Sequence, residues 1–416
     1  MTDSAEIVDL GELAGGAPRF HADPYPVYER LRRRGPVHHV RTPGPGPTED
    51  LYLIVGHEAA RAAFTDPRLV KTPPWGLEGD MMGLHLLFAD PPEHGRLRSL
   101  VTREFTPRRV AALAPRIQKL TDELLDDMVP RGEADLIGSL AFPLPFAVIC
   151  ELLGVPDIDR ERFRRMSTQV VAPTSEEEAY ASHVELVGFL DGLIEAKRGA
   201  APADDLLSAL IRTTAEDGDR LSPSELRGMA FLLLIAGHET TVNLIGNGVR
   251  ALLQHPDQLA ALRADMSLLD GAVEEMLRYD GPVETATHRF AAEPVEIDGT
   301  VIPAGAAVLI GIATAGRDPR RFPEPDRFDI RRDARGHVAF GHGIHFCLGA
   351  PLARLEGRIA VRSLLERCPG LVLAEDPGAW LPGMLIRGTR SLRVSWVDQA
   401  PPSDESQRGS GQSPET

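Results

Sequence analysis

Cysteine is scarce in this chain: Cys150, Cys347 and Cys368 are the only three in 416 residues, an odd number set far apart. That usage excludes a disulfide framework and predicts a protein of the reducing cytoplasm. Positive charge is in deficit too, with 45 Lys and Arg against 61 Asp and Glu, a net −16. Such a surface argues against nucleic acid and against anionic membranes as partners. Residues 1–16 carry neither a basic segment nor an apolar run, so no signal peptide or membrane anchor is expected. No internal repeat is visible. With 43% hydrophobic and 25% charged residues, the remainder reads as an ordinary globular protein.

What is present is organised around residues 339–356. Gly341, Gly343 and Gly349 let a loop lie flat and close against something large. From Pro351 the apolar spacing of Leu352, Leu355, Ile359 and Leu364 turns helical, and proline suits a first helical turn. Cys347 therefore precedes a helix N-terminus, where unpaired N–H groups and the dipole favour a thiolate. A thiolate on such a loop, beside His342 and His345, suits an axial ligand of haem iron. Two other readings stand beside it. Cys347 could be an inert buried thiol, or could clasp zinc with His342 and His345, though that spacing fits no common zinc knuckle.

The segment Phe340-Gly-His-Gly-Ile-His345-Phe-Cys347-Leu-Gly349 resembles the cysteine-loop signature of the cytochrome P450 superfamily. The resemblance runs from about Asp23 to Trp396. It implies a mostly α fold with a smaller β-rich part, a triangular helical haem-binding domain. It assigns residues 20–398 to one catalytic domain, between a flexible N-terminus (1–19) and a disordered tail (399–416). Haem b (iron protoporphyrin IX) is the implied cofactor, with Cys347 as axial ligand and His345 and Gly349 beside it.

Other motifs fall in the expected order. A helix following Asp90-Pro91-Pro92-Glu93 carries His94 and Arg98 four apart on one face. Alone they read as a solvated basic face; the resemblance makes them, with Arg289, partners of the haem propionates. The longest helix opens at Ser222-Pro223-Ser224-Glu225, and its apolar middle spans about half of what a membrane crossing needs. Ala236 and Gly237 leave room for something flat. In Ala236-Gly237-His238-Glu239-Thr240-Thr241 the resemblance gives Thr240 a hydrogen bond to bound dioxygen and Glu239 a proton relay from solvent. Otherwise Thr240 would bond back to the Ala236 carbonyl and Glu239 would be a surface carboxylate.

Glu275 and Arg278 match the family's structural Glu-x-x-Arg pair, with Arg327 as its third member. Substrate contacts are expected from Val283 and Thr285, from Leu385, and from the aperiodic loop that holds Glu78, Asp80 and Met81. The two acids there would suit a cationic amino sugar. Arg331, Arg332, Arg335, Arg354 and Arg358 gather about the cysteine loop as a docking face for an acidic ferredoxin.

The implied activity is insertion of one oxygen atom from O2 into a C–H bond, or an epoxidation. The chain looks most like actinobacterial enzymes acting on macrolides and related polyketides. Electrons would come from NAD(P)H through a ferredoxin and its reductase, to a cytoplasmic monomer. The other readings are a haem-binding sensor or partner protein without turnover, or a terpenoid, steroid or peptide substrate.

Overall fold

The structure, a computed structural model, describes residues 7–43, 48–76, 83–156, 160–171, 173, 175–201, 203–212, 221–374 and 378–396. Residues 399–416, expected to be disordered, lie outside this set. Helices dominate, and the strands form one six-stranded sheet with two smaller ones.

The six-stranded sheet begins with β1 (Val8–Asp9), which pairs parallel to β2 (Val37–Arg41). Helix α1 (Tyr25–Arg34) lies between them in sequence. β2 forms a hairpin with β3 (Asp50–Ile54), setting Val37 against Ile54 and Val40 against Leu51. Then come α2 (His57–Thr65) and β4 (Leu69–Val70).

The segment 7–19 is not loose. Asp9 accepts from the Glu12 N–H and caps a short helix, while Leu10 and Phe20 are fully buried among the strands. That burial is what ties the segment down.

The helical part runs through α3 (Glu93–Thr102), α4 (Ala114–Met128), α5 (Pro143–Leu153) and α6 (Arg160–Val171) to α7 (Pro223–Gln254). α7 starts on a reciprocal capping box. Ser222 accepts from the Glu225 N–H, and the Glu225 carboxylate accepts from the Ser222 N–H at 2.7 Å. From Thr241 to Val249 the helix is buried all round, packed against α5 and α8 (Leu269–Asp280). The apolar stretch is longer than the sequence suggested. One 18-residue window is apolar enough to cross a membrane, but 72% of it is buried within the fold, as befits a core helix.

After α8 the chain returns to the sheet as β5 (Arg289–Ala291) and β6 (Ala307–Ile310), giving the order β1-β2-β3-β6-β5-β4. Last comes α9 (Ala350–Arg367), with Pro351 in its first turn, packed on α4 and α7. The largest core joins these helices through residues such as Ile149, Leu234, Ile245, Val273 and Leu364.

α8 carries the structural ion pair, fully buried. Arg278 Nε and Nη2 donate to Glu275 at 2.6 and 2.8 Å. The expected third member is not Arg327, whose side chain is 57% exposed and meets Glu324 and Asp329 only at 3.6 and 3.8 Å. Arg332 takes that place. Its Nε reaches Glu275 at 3.3 Å, and its other nitrogens donate to the Pro323, Glu324 and Arg327 carbonyls. Arg327 contributes only its backbone oxygen, which accepts from Arg278 as well.

Candidate active site

Between Phe340 and α9 the chain makes a tight loop that only glycine permits at two points. Gly341 and Gly343 hold φ of 71° and 74°. A Cβ on Gly343 would also lie 3.2 Å from the Phe64 carbonyl oxygen. The Cys347 N–H donates to Phe340 O at 2.9 Å, which sets the thiol at the mouth of α9. Packing around Cys347 raises the thiol pKa by desolvation. The N–H groups of Gly349 and Ala350 and the Arg98 charge act against that shift. Cys347 is nevertheless an exposed residue.

Beside the loop lies a set of buried donors. His94 on α3 and His345 on the loop stack edge to face at 4.3 Å. His94 Nε2, His345 Nε2 and Arg289 Nε are buried without any hydrogen-bond partner. Arg98 Nη2 donates to Phe346 O at 2.9 Å and Arg289 Nη1 to Leu69 O at 2.9 Å. Burial, then the charges of Lys71, His94, Arg289 and Arg98, drive the His345 imidazole down to about 3, so it stays neutral. His94, Arg98 and Arg289, expected from sequence as propionate partners, are therefore brought together with His345, and Lys71, which sequence reasoning missed, joins them.

On α7, Ala236 is exposed although Ile235 and His238 are buried. Thr240, one turn on, shares that face and donates from Oγ1 to Ala236 O at 3.0 Å. Gly237 does not face the cofactor space. A Cβ there would meet Ile149 Cδ1 of α5 at 2.8 Å, so its smallness serves helix packing. Glu239 is not a surface carboxylate and does not meet solvent directly. It is 7% exposed and packed against α6, where Ser167 Oγ donates to its Oε1 at 2.6 Å. His238 Nε2 lies 3.3 Å from both groups. Desolvation would raise the Glu239 pKa, but the hydrogen bonds and charge of His238, with Ser167, leave it lowered.

Among the expected substrate contacts, Val283 and Leu385 are half-buried, Val283 bridging to Ile386. Thr285 is turned inward: it is buried, and its hydroxyl donates to Met384 O at 2.9 Å. Glu78, Asp80 and Met81 lie outside the described residues. Among the described residues no group of three or more His, Cys, Asp or Glu side chains could hold a metal ion, which removes the zinc clasp.

A single exposed thiol at a helix start, a helix face of Ala236 and Thr240, and unpartnered buried nitrogens of His94, His345 and Arg289 fit a flat apolar group with one axial ligand and acidic edges. That is the site of a haem-thiolate protein. The model of the Cytochrome P450 family matches residues 46–377, and the chain belongs to that family, as a monooxygenase that uses haem b and electrons derived from NAD(P)H.

The chain is 57% identical over 404 residues to cytochrome P450 monooxygenase PikC of Streptomyces venezuelae, covering 95% of each chain. It is 45% identical to 6-deoxyerythronolide B hydroxylase of Saccharopolyspora erythraea, covering 90% of this chain and 96% of that one. Among solved structures, the tirandamycin C-bound P450 monooxygenase TamI superposes with a TM-score of 0.86 at 42% identity, covering 94% of this chain and all of that one.

Proposed function

We propose that the protein hydroxylates a macrolide or related polyketide in the cytoplasm, with residues 20–398 acting as one monomeric catalytic unit. The observation that carries the activity is the free, exposed Cys347 at the start of α9, with unpartnered buried nitrogens of His94, His345 and Arg289 beside its loop. The substrate class is supported by the relatives whose names specify 6-deoxyerythronolide B and tirandamycin C. The overall change takes R–H, O2, two electrons and two protons to R–OH and water. A small acidic ferredoxin and its reductase would deliver the electrons.

Haem, when bound, supplies dioxygen activation and oxygen transfer. Cys347 would hold its iron, and the N–H groups of Gly349 and Ala350 would stabilise the thiolate charge. His94, Arg98, Arg289 and His345 would grip its carboxylates. Ala236 leaves the space open over its face. Thr240 would turn its hydroxyl from the Ala236 carbonyl toward the bound group, giving up one back-bond worth about 1 kcal/mol. Glu239 would receive protons through Ser167 and His238 rather than directly from solvent. Val283 and Leu385 would border the substrate.

The test is a spectral titration of haem-loaded protein with a panel of macrolides, linear polyketides and sterols, followed by turnover and mass spectrometry. A Soret shift and a product one oxygen heavier are expected with a macrolide or polyketide. Shift and product confined to the sterols would overturn the substrate class.

A further inference from the structure

We propose that Lys71 is a further member of the cradle for the cofactor's two carboxylates, supplying the charge that balances the second of them and fixing the strand from which Arg289 reaches. This rests on the haem reading of the site.

Lys71 follows β4, and Arg289 opens β5, the antiparallel neighbour of β4. The Lys71 side chain is buried, with the residue only 3% exposed. Its ammonium donates to Thr287 O at 2.9 Å, Thr287 Oγ1 at 2.5 Å and His288 O at 3.1 Å. It thereby pins the two residues just before Arg289. Among the described residues no carboxylate is bonded to that ammonium. Asp90 lies close enough to act on Lys71, Arg289 and His94, but its oxygens accept from the Lys71 N–H, the Thr72 N–H and Thr72 Oγ1. Glu49 pairs with His288 at 3.1 Å.

Lys71, Arg98 and Arg289 place cationic groups about His345, and burial with the Arg289 charge pushes the Lys71 ammonium pKa well below its ordinary value. A buried ammonium that donates only to neutral oxygens is costly to keep charged. A haem would bring two carboxylates to that position and offset this cost. Without Lys71 one propionate would be unbalanced, and Arg289 would lose the anchor of its preceding turn.

A lysine that merely tied two loops together would matter equally with and without haem; a lysine acting on the cofactor would not. Lys71→Met keeps the length and removes the charge. The haem-loaded variant should lose haem to an apoglobin acceptor roughly tenfold faster than wild type, while the haem-free variant melts no lower than wild type. Its reduction potential should fall, because less positive charge favours the oxidised iron. Asp90→Asn should shift the potential the opposite way, and it decides the matter should Lys71→Met fail to accumulate. Unchanged haem loss and potential in Lys71→Met, equal destabilisation of both forms, or an unmoved potential in Asp90→Asn would overturn the proposal. Failure of the wild-type protein to take up haem would sink the haem reading instead.

Discussion

Replacing Arg332 should damage the protein far more than replacing Arg327, although the two lie five residues apart. Arg332 keeps 12% of its side chain exposed. Arg332→Ala removes one bond to Glu275 and three bonds to the Pro323, Glu324 and Arg327 carbonyls. Glu275 retains its two-point contact with Arg278 and the Asp329 N–H at 2.8 Å, so its charge is not abandoned. The loss is then one of charge-assisted hydrogen bonds, about 2–3 kcal/mol. Arg278→Ala would be worse, about 3–5 kcal/mol, because it strands a fully buried carboxylate. Arg327→Ala removes two long contacts on a side chain more than half in water and should cost under about 0.5 kcal/mol. Urea midpoints of the three variants at equal haem saturation give the ranking. An Arg327→Ala loss equal to that of Arg332→Ala would refute the assignment.

Cys347→Ala should abolish the red-shifted Soret band of the reduced carbon-monoxide complex. Cys150→Ser and Cys368→Ser should keep it, Cys368 being a buried thiol pushed up to about 11 by desolvation. Gly237→Ala should cost about 1–3 kcal/mol through its clash with Ile149. Adding Ile149→Ala should recover part of that stability; no recovery in urea midpoints would mean the glycine serves something other than this packing. Glu284, buried beside Tyr28, Arg387 and Asp280, is raised by desolvation from 4.5 to about 7. The folded state thus holds a proton that the unfolded chain releases. Its contribution is complete below about pH 4.5 and is lost as pH rises to about 7, a fall of about 3 kcal/mol. Glu284→Gln should flatten that part of the stability–pH curve between pH 5 and 8; an unaltered slope would assign it to another group.

What sequence could show is what is encoded over a few residues. The capping box at Ser222 and Glu225, the Asp298-Gly299 turn with φ of 49° and 78°, and the loop glycines at 341 and 343 are each local demands of the backbone. Glu275 and Arg278 pair as their Glu-x-x-Arg spacing and the family resemblance imply. The misses share a different cause. Ala236 and Gly237 are adjacent and both small, yet a helix turns successive residues by about 100°, so one is exposed and the other packs against Ile149 of α5. Lys71 has no motif, since its partners Thr287 and His288 lie more than two hundred residues on. Thr285 stands in the right segment, but its hydroxyl finds a carbonyl contributed by Met384.

The arginines flanking the cysteine loop carry the same lesson into function. Counted along the sequence, Arg331, Arg332, Arg335, Arg354 and Arg358 make a basic patch; in the fold four of them are committed to carboxylates. Arg354 holds Glu274 at 2.6 and 2.8 Å, with His337 on the same acid, and that carboxyl is held down at about 2 despite its burial. Arg332 is engaged with Glu275, Arg335 with Asp333 at 2.7 Å and Arg358 with Asp270 at 3.2 Å. A paired arginine contributes little net field beyond a Debye length. Arg354 also packs 4.4 Å from the Phe340 ring that opens the loop, so it holds the thiolate's scaffold in place. Charge reversal at Arg354 would test that scaffold rather than long-range steering of an electron donor. Arg331, exposed and outside those four pairs, is then the arginine whose reversal would test steering of an acidic electron donor to this face.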